Sequence, residues 1–226
     1  MFGRLRTARS IYKARGVLAL RDSALEKLPF VRQEYQQRIS HVFESRQEII
    51  NALIPSSATS VLDIGSNLGG VASGIAKTTS CHVLAWEPDS KIHARAVRRE
   101  RNPSVVLCTG EPGPVTVKRL PRFNVILLLN VYHNWVKQYG ISAAHEMLKG
   151  LADKAELLIV HGSSRKSFGS SPPSEFTPDS NEETFWFEFL SSTFPRGEVT
   201  KIASIDAGQH MTQPVIHIHA VRLKRA

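Results

Sequence analysis

After residue 58 the hydrophobic positions fall into short runs separated by amphipathic stretches. Short apolar runs without polar alternation at Ser60 to Ile64, Cys81 to Trp86, Val105 to Cys108, Phe123 to Leu129 and Ala155 to His161 are the pattern of strands covered on both faces. Between them, Ile92, Ala96 and Val97 mark the inner face of a helix opened by Asp89 or Ser90. Ala144, Met147, Leu148 and Leu151 mark another, with Ser142 as its expected cap. Strand and helix in alternation predict a right-handed, doubly wound parallel sheet, an α/β fold. Further on, Ser180-Asn181-Glu182-Glu183 reads as a capping box before an aromatic helix (Phe185, Trp186, Phe187, Phe189, Leu190). Two last strands, Glu198 to Ile205 and Val215 to Leu223, are joined too closely for a helical crossover. They are expected to form an antiparallel hairpin at the edge of a seven-stranded sheet.

Two segments break this rhythm. Residues 162–181 hold five Gly or Pro and seven Ser, which reads as a long mobile loop and a candidate lid. Before residue 58, Tyr35, Ile39, Val42, Ile49 and Leu53 share a helical face interrupted by Arg46, up to the break at Pro55. The division expected is a basic helical extension over 1–57 and a catalytic domain over 58–226.

The chain has 226 residues, 42% of them hydrophobic, with 29 basic against 20 acidic side chains. That composition excludes a disordered, collagenous or disulfide-scaffold protein. The net charge of +9 has an address: residues 1–48 hold ten basic and five acidic residues, and 91–101 hold five and one. Residues 1–21 carry six basic residues and no acid, the mark of a basic amphipathic helix or an organelle transit peptide. On the helix after Asp89, Lys91, Arg95 and Arg98 form a stripe opposite the apolar face, a surface for docking to a polyanion or a membrane. Cys81 and Cys108 lie in apolar runs and imply a reducing, cytoplasmic setting, with organellar import as the alternative. No apolar run approaches the ~18 residues that cross a bilayer. His217 and His219 share a strand face but have no evident third ligand, so no metal site is expected.

The segment Val61 to Gly70 carries the most chemistry. A strand ends in Asp63 and runs through Gly65, Ser66, Asn67, Gly69 and Gly70 into a helix. A dinucleotide site needs G-x-G-x-x-G, with pyrophosphate on the helix N-terminus. Here the glycine spacing differs, and Asp63 would repel a phosphate but attract a cation.

These residues resemble the first motif of the class I S-adenosylmethionine-dependent methyltransferases, close to D/E-x-G-x-G-x-G. Asp63, Gly65 and Gly69 match, and Asn67 stands for the middle glycine, a mild departure because Asn tolerates left-handed backbone. The resemblance implies a Rossmann-like methyltransferase with S-adenosylmethionine as cofactor. Glu87, 18 residues after Gly69, would take the ribose hydroxyls. Gly110 and Glu111 would lie near the adenine, Asn130 would line the methionine end, and Trp86 and Pro88 flank Glu87 where they would shape the adenosine site, with core packing the alternative for Trp86. The run Asn130-Val131-Tyr132-His133-Asn134-Trp135 is similar to segments of methyltransferases acting on glycan ends, phosphates and RNA 5′ ends. His133 then becomes a candidate general base with a near-neutral pKa. Tyr132, Trp135 and His161 become candidate substrate contacts, and Phe185, Trp186 and Phe189 either a substrate wall or core. The expected reaction is O-methylation of a small molecule or glycan, acidic acceptors included. RNA methylation and a non-catalytic nucleotide-binding role are the alternatives.

Overall fold

The computed structural model describes residues 42–110, 112–207, 213 and 215–223. The chain divides into two units, 1–44 and 45–226, and the sheet belongs to the second. The basic segment 1–21 lies outside the described residues.

Helical residues 45–53 (α1) open the second unit. They are followed by β1 (Ser60–Ile64), α2 (Gly70–Thr78), β2 (His82–Trp86), α3 (Ser90–Arg99), β3 (Val105–Cys108), α4 (Pro114–Arg119), β4 (Phe123–Leu129), α5 (Tyr132–Tyr139), α6 (Ile141–Gly150), β5 (Ala155–His161), a 3-10 turn (Arg165–Phe168), α7 (Glu182–Thr193), β6 (Glu198–Asp206) and β7 (Val215–Arg222). The seven strands form one sheet in the order β3-β2-β1-β4-β5-β7-β6. Strands β1 to β5 are mutually parallel, while β7 runs antiparallel to both β5 and β6. Thus the chain turns back to insert its last strand between β5 and β6, closing the sheet with the expected antiparallel pair.

The two faces of the sheet are unlike. Leu62, Ile64, Ile126, Leu128, Leu158 and Val160 project into one large core filled by Met147, Leu148, Phe168, Phe176, Phe185 and Trp186. Rings supply much of its volume: Phe176 and Phe185 stack with centroids 3.9 Å apart, and Tyr132 meets Trp186 edge to face at 5.8 Å. Phe185 and Trp186 of α7 are therefore buried in this core, while Phe187 and Phe189 are half-buried and Phe185 and Phe189 also line an open cavity beside it.

Segment 162–181, whose composition suggested a mobile loop, is held by that same core. Phe168 and Phe176 are both 1% exposed, and Ser163 and Ser164 are buried. Trp186 Nε1 donates to the Ser163 carbonyl (2.9 Å), and the Arg165 amide donates to Glu182 Oε1 (3.1 Å). An Ala side chain at Gly162 would run into the Trp186 ring, so glycine at this position reflects packing.

Helix starts follow local chemistry, but the expected capping box at Ser180 is not formed, its cap falling one residue later while Ser180 Oγ pairs with Thr177, and one further start is shifted. Asp89 caps α3, accepting from the amides of Lys91 and Ile92, and Asn181 caps α7, accepting from Thr184. Asn181→Ala is expected to cost about 1 kcal/mol of stability, readable in urea unfolding. The further shift is at α6, which starts at Ile141 after Gly140, leaving Ser142 inside the helix with no capping role. Gly140 (φ 79°) ends α5 and turns directly into α6, so there is no room for a separate cap. On α3 only Ala96 is fully buried and Val97 is 48% exposed, so the inner face is narrower than its periodicity suggested.

Candidate active site

The turn after β1 is built around three left-handed residues: Gly65 (φ 76°), Asn67 (φ 53°) and Gly69 (φ 77°). Asn67 adopts the conformation expected of the missing middle glycine. The amides of Gly65 and Ser66 both donate to the Trp86 carbonyl (2.8 and 3.1 Å), which ties the turn to the end of β2. Glu87 completes the tie. Its carboxylate accepts from the amides of Asn67 (2.8 Å) and Asp89 (2.9 Å), so this acid organises both loops it adjoins.

Asp63 lies beneath the turn, 2% exposed, and its Oδ2 has no hydrogen-bond partner among the described residues; the same is true of the buried Ser66 Oγ. Burial pushes the Asp63 carboxyl up to about 7, opposed by the Arg46 guanidinium and reinforced by Glu87. Arg46, which interrupts the apolar face of α1, is thus an electrostatic partner of the first-motif acid. The signal in the sequence was a cation on an otherwise apolar helical face.

Gly110 has φ 130° and open space where a side chain would project, and its carbonyl accepts from Trp86 Nε1 (2.9 Å). The Trp86 ring is only 6% exposed, whereas Pro88 is exposed. Glu111 lies outside the described residues.

At the end of β4, exposed Asn130 takes a left-handed turn (φ 60°), and its amide donates to the His161 carbonyl (2.9 Å). The residues after it form helix α5 instead of an extended loop. Tyr132, Trp135 and Val136, at helical spacing, are buried in the aromatic core, and the first two are each 2% exposed. Tyr132 Oη and Trp135 Nε1 have no hydrogen-bond partner among the described residues. His133 is half-buried, its Nδ1 2.7 Å from Ser163 Oγ. Burial, with Lys137 adding to it, pushes this imidazole down to about 4, well below the near-neutral value expected from its position. His161, at the end of β5, is 5% exposed, and burial with Arg46 pushes it down to about 3.

Asp63, Ser66, Glu87, Asn130, His133 and His161 therefore meet at the carboxyl edge of the parallel strands, where open α/β sheets bind ligands. An open cavity of about 820 Å³ lies elsewhere, between α6, α7 and residues 173–181, and none of these six residues lines it. His217 and His219 lie on one strand, where His217 Nδ1 is 2.9 Å from Ser204 Oγ and His219 is fully buried.

The arrangement is the class I methyltransferase fold, and solved structures carry the same likeness. The bifunctional kinase-methyltransferase WbdD superposes with a TM-score of 0.61 at 18% identity, over 83% of this chain and 40% of that one. Magnesium protoporphyrin IX methyltransferase (ChlM) from Synechocystis PCC 6803, solved with bound SAH, gives 0.57 at 15% identity, over 87% and 89%. Precorrin-6y C5,15-methyltransferase from Geobacter metallireducens GS-15 gives 0.55 at 11%, over 80% and 88%. The chain spans about 40% of the length of WbdD. No family profile and no curated protein sequence matches it. Among the described residues, no helix is long and apolar enough to cross a membrane.

Proposed function

We propose that this chain is an S-adenosylmethionine-dependent methyltransferase acting on an oxygen of a small molecule or glycan. The observation that carries the reading is the pair of bare, buried acceptors, Asp63 Oδ2 and Ser66 Oγ, beneath a left-handed turn tied to Glu87. Buried polar atoms of this kind call for a partner, and carboxylates at both strand ends favour one that brings cations and hydroxyls over a phosphate. The SAH bound in the ChlM structure supports the choice of cofactor. The N-terminal domain of EvdMO1, 15% identical over 80% of this chain with a TM-score of 0.55, was solved in the presence of SAH and D-fucose, which supports a hydroxylated acceptor.

In this reading Asp63, with Ser66, holds the amino-acid end of the cofactor, and Glu87 takes the ribose while keeping its two loop amides. Gly65, Asn67 and Gly69 let the backbone approach the ligand. Gly110 leaves room for the adenine, with Glu111 and Pro88 beside it, and Asn130 turns the chain toward the acceptor. When bound, the cofactor supplies an electrophilic methyl on a sulfonium, already a good leaving group. The protein's task is then to align an acceptor oxygen and exclude water. His133, neutral at physiological pH and steadied by Ser163, is the group to receive the proton of a hydroxyl acceptor. Tyr132 and Trp135 set its position through the packed first turn of α5. The exposed Lys91, Arg95 and Arg98 of α3 offer a docking surface for a polyanion.

Calorimetry with S-adenosylmethionine tests the reading, and absence of binding to the wild-type chain overturns it. His133→Ala is expected to leave cofactor affinity within about twofold while slowing transfer to a hydroxyl acceptor by about a hundredfold. The acid limb of the pH–rate profile should fall near pH 4, the value that burial gives His133, and a limb near pH 6.5 would argue against this base.

A further inference from the structure

Gln213 precedes β7 and is 8% exposed. Its Nε2 donates to the Gly162 carbonyl (2.7 Å), and its Oε1 lies 3.0 Å from His161 Nε2. The opposite amide orientation would set two carbonyl oxygens against each other, so Gly162 fixes which end of the amide faces the histidine. A carbonyl oxygen only accepts, so His161 Nε2 must carry a proton. In a neutral ring Nδ1 is then bare. That nitrogen is buried and has no partner among the described residues.

The strand register shows what lies beside this ring. Asp63 pairs with Leu127, Leu127 with Ile159, and His161 follows two residues later, so Asp63 and His161 occupy the same face of the sheet. Two buried acceptors, Asp63 Oδ2 and His161 Nδ1, thus stand on one face at the carboxyl edge, both unpartnered among the described residues. The Arg46 guanidinium acts on both. Asp63 belongs to the first strand and the turn proposed to hold the cofactor; His161 lies two strands away, on the far side of β4.

We propose that Gln213 is a positioning residue that locks His161 as the Nε2–H tautomer, so that Nδ1 accepts a hydrogen bond from a hydroxyl or amine of the methyl-acceptor molecule. The inference rests on the methyltransferase reading and narrows its substrate class. A bare ring nitrogen attracts a donor and repels the oxygens of a carboxylate or phosphate, so at this point the acceptor presents a neutral hydroxyl or an amine. Burial supports the assignment, since it keeps the ring neutral across physiological pH.

The test uses the full chain labelled with ¹⁵N-histidine. Two-bond ¹H–¹⁵N correlations are expected to show His161 as the Nε2–H tautomer from about pH 5 to 8. With S-adenosylhomocysteine present, glycerol at high concentration should shift the Nδ1 resonance and inorganic phosphate should not. Gln213→Met, close in length but without the amide, should mix the tautomers and weaken the glycerol response about tenfold, the scale of one hydrogen bond. An Nδ1–H tautomer or a cationic ring in the wild-type chain overturns the proposal even if the variant fails to fold. An unchanged tautomer in Gln213→Met removes the role of Gln213. A shift with phosphate, or none with glycerol, overturns the acceptor assignment. The tautomer measurement needs no cofactor, so failure of S-adenosylhomocysteine to bind counts only against the methyltransferase reading.

Discussion

Asp63→Asn is expected to weaken S-adenosylmethionine binding by about a hundredfold, while stabilising the ligand-free protein above neutral pH. Both effects come from one buried carboxyl. Its pKa is pushed up to about 7 from an ordinary value of 3.8, with burial as the main cause, Arg46 opposing and Glu87 adding. The folded state therefore holds this proton more tightly than the unfolded chain does. The penalty for ionising it in the fold is absent below the unfolded value. It grows as pH rises through the interval up to about 7 and levels off above, at roughly 4 kcal/mol. Asparagine keeps the shape and removes the charge. Urea unfolding should find wild type and variant separated by about 2 to 4 kcal/mol at pH 8 and converging near pH 4. A variant no more stable than wild type at pH 8 would contradict this account. A cationic ligand should also reverse the shift, so cofactor binding at pH 7 should release about half a proton. Calorimetry in buffers of different ionisation enthalpy measures it.

Gly65→Ala is expected to lower stability by about 2 to 5 kcal/mol and to abolish measurable cofactor binding. Two costs add. The residue holds φ 76°, where a side chain costs about 1–2 kcal/mol. An added Cβ would also lie 2.6 Å from Val131 Cγ2, an overlap of the kind that costs about 1–3 kcal/mol. A double-mutant cycle with Val131→Ala separates them, because removing the valine methyls relieves the overlap and leaves the backbone strain. Simple additivity of the two substitutions would show that Val131 is not what confines Gly65. The contact also links the turn after β1 to the residue just before α5, so the two segments share one packing constraint.

Much of the fold was legible because strand signals are local. Apolar runs of about four to seven residues identified the strands to within a residue or two, since a strand covered on both faces has no polar alternation to blur it. The first-motif turn was legible for a similar reason: Asn67, like Gly65 and Gly69, is a residue type that accepts positive φ. Helix α5 was missed. Tyr132, Trp135 and Val136 stand at helical spacing, but eight residues beside a motif-like segment gave the period too little length to register. Segment 162–181 reads as mobile from its serines and prolines, yet Phe168 and Phe176 anchor it. These two buried aromatic side chains attach the segment to the core, a tertiary contact that composition does not reveal.

By itself the sequence determined the alternation of strands and helices, the left-handed turn after Asp63 and the acid at the end of the second strand, because each depends on residues close together in the chain. Only the tertiary structure decided the order of the last two strands, the placing of Arg46 against Asp63, the burial that shifts both histidines, and the Gln213 amide that sets the tautomer of His161. Those depend on what meets across the sheet, between residues 17 and 52 positions apart in the chain for the Asp63 and Gln213 contacts. Burial and partner choice are properties of the packed chain, and no local pattern encodes them.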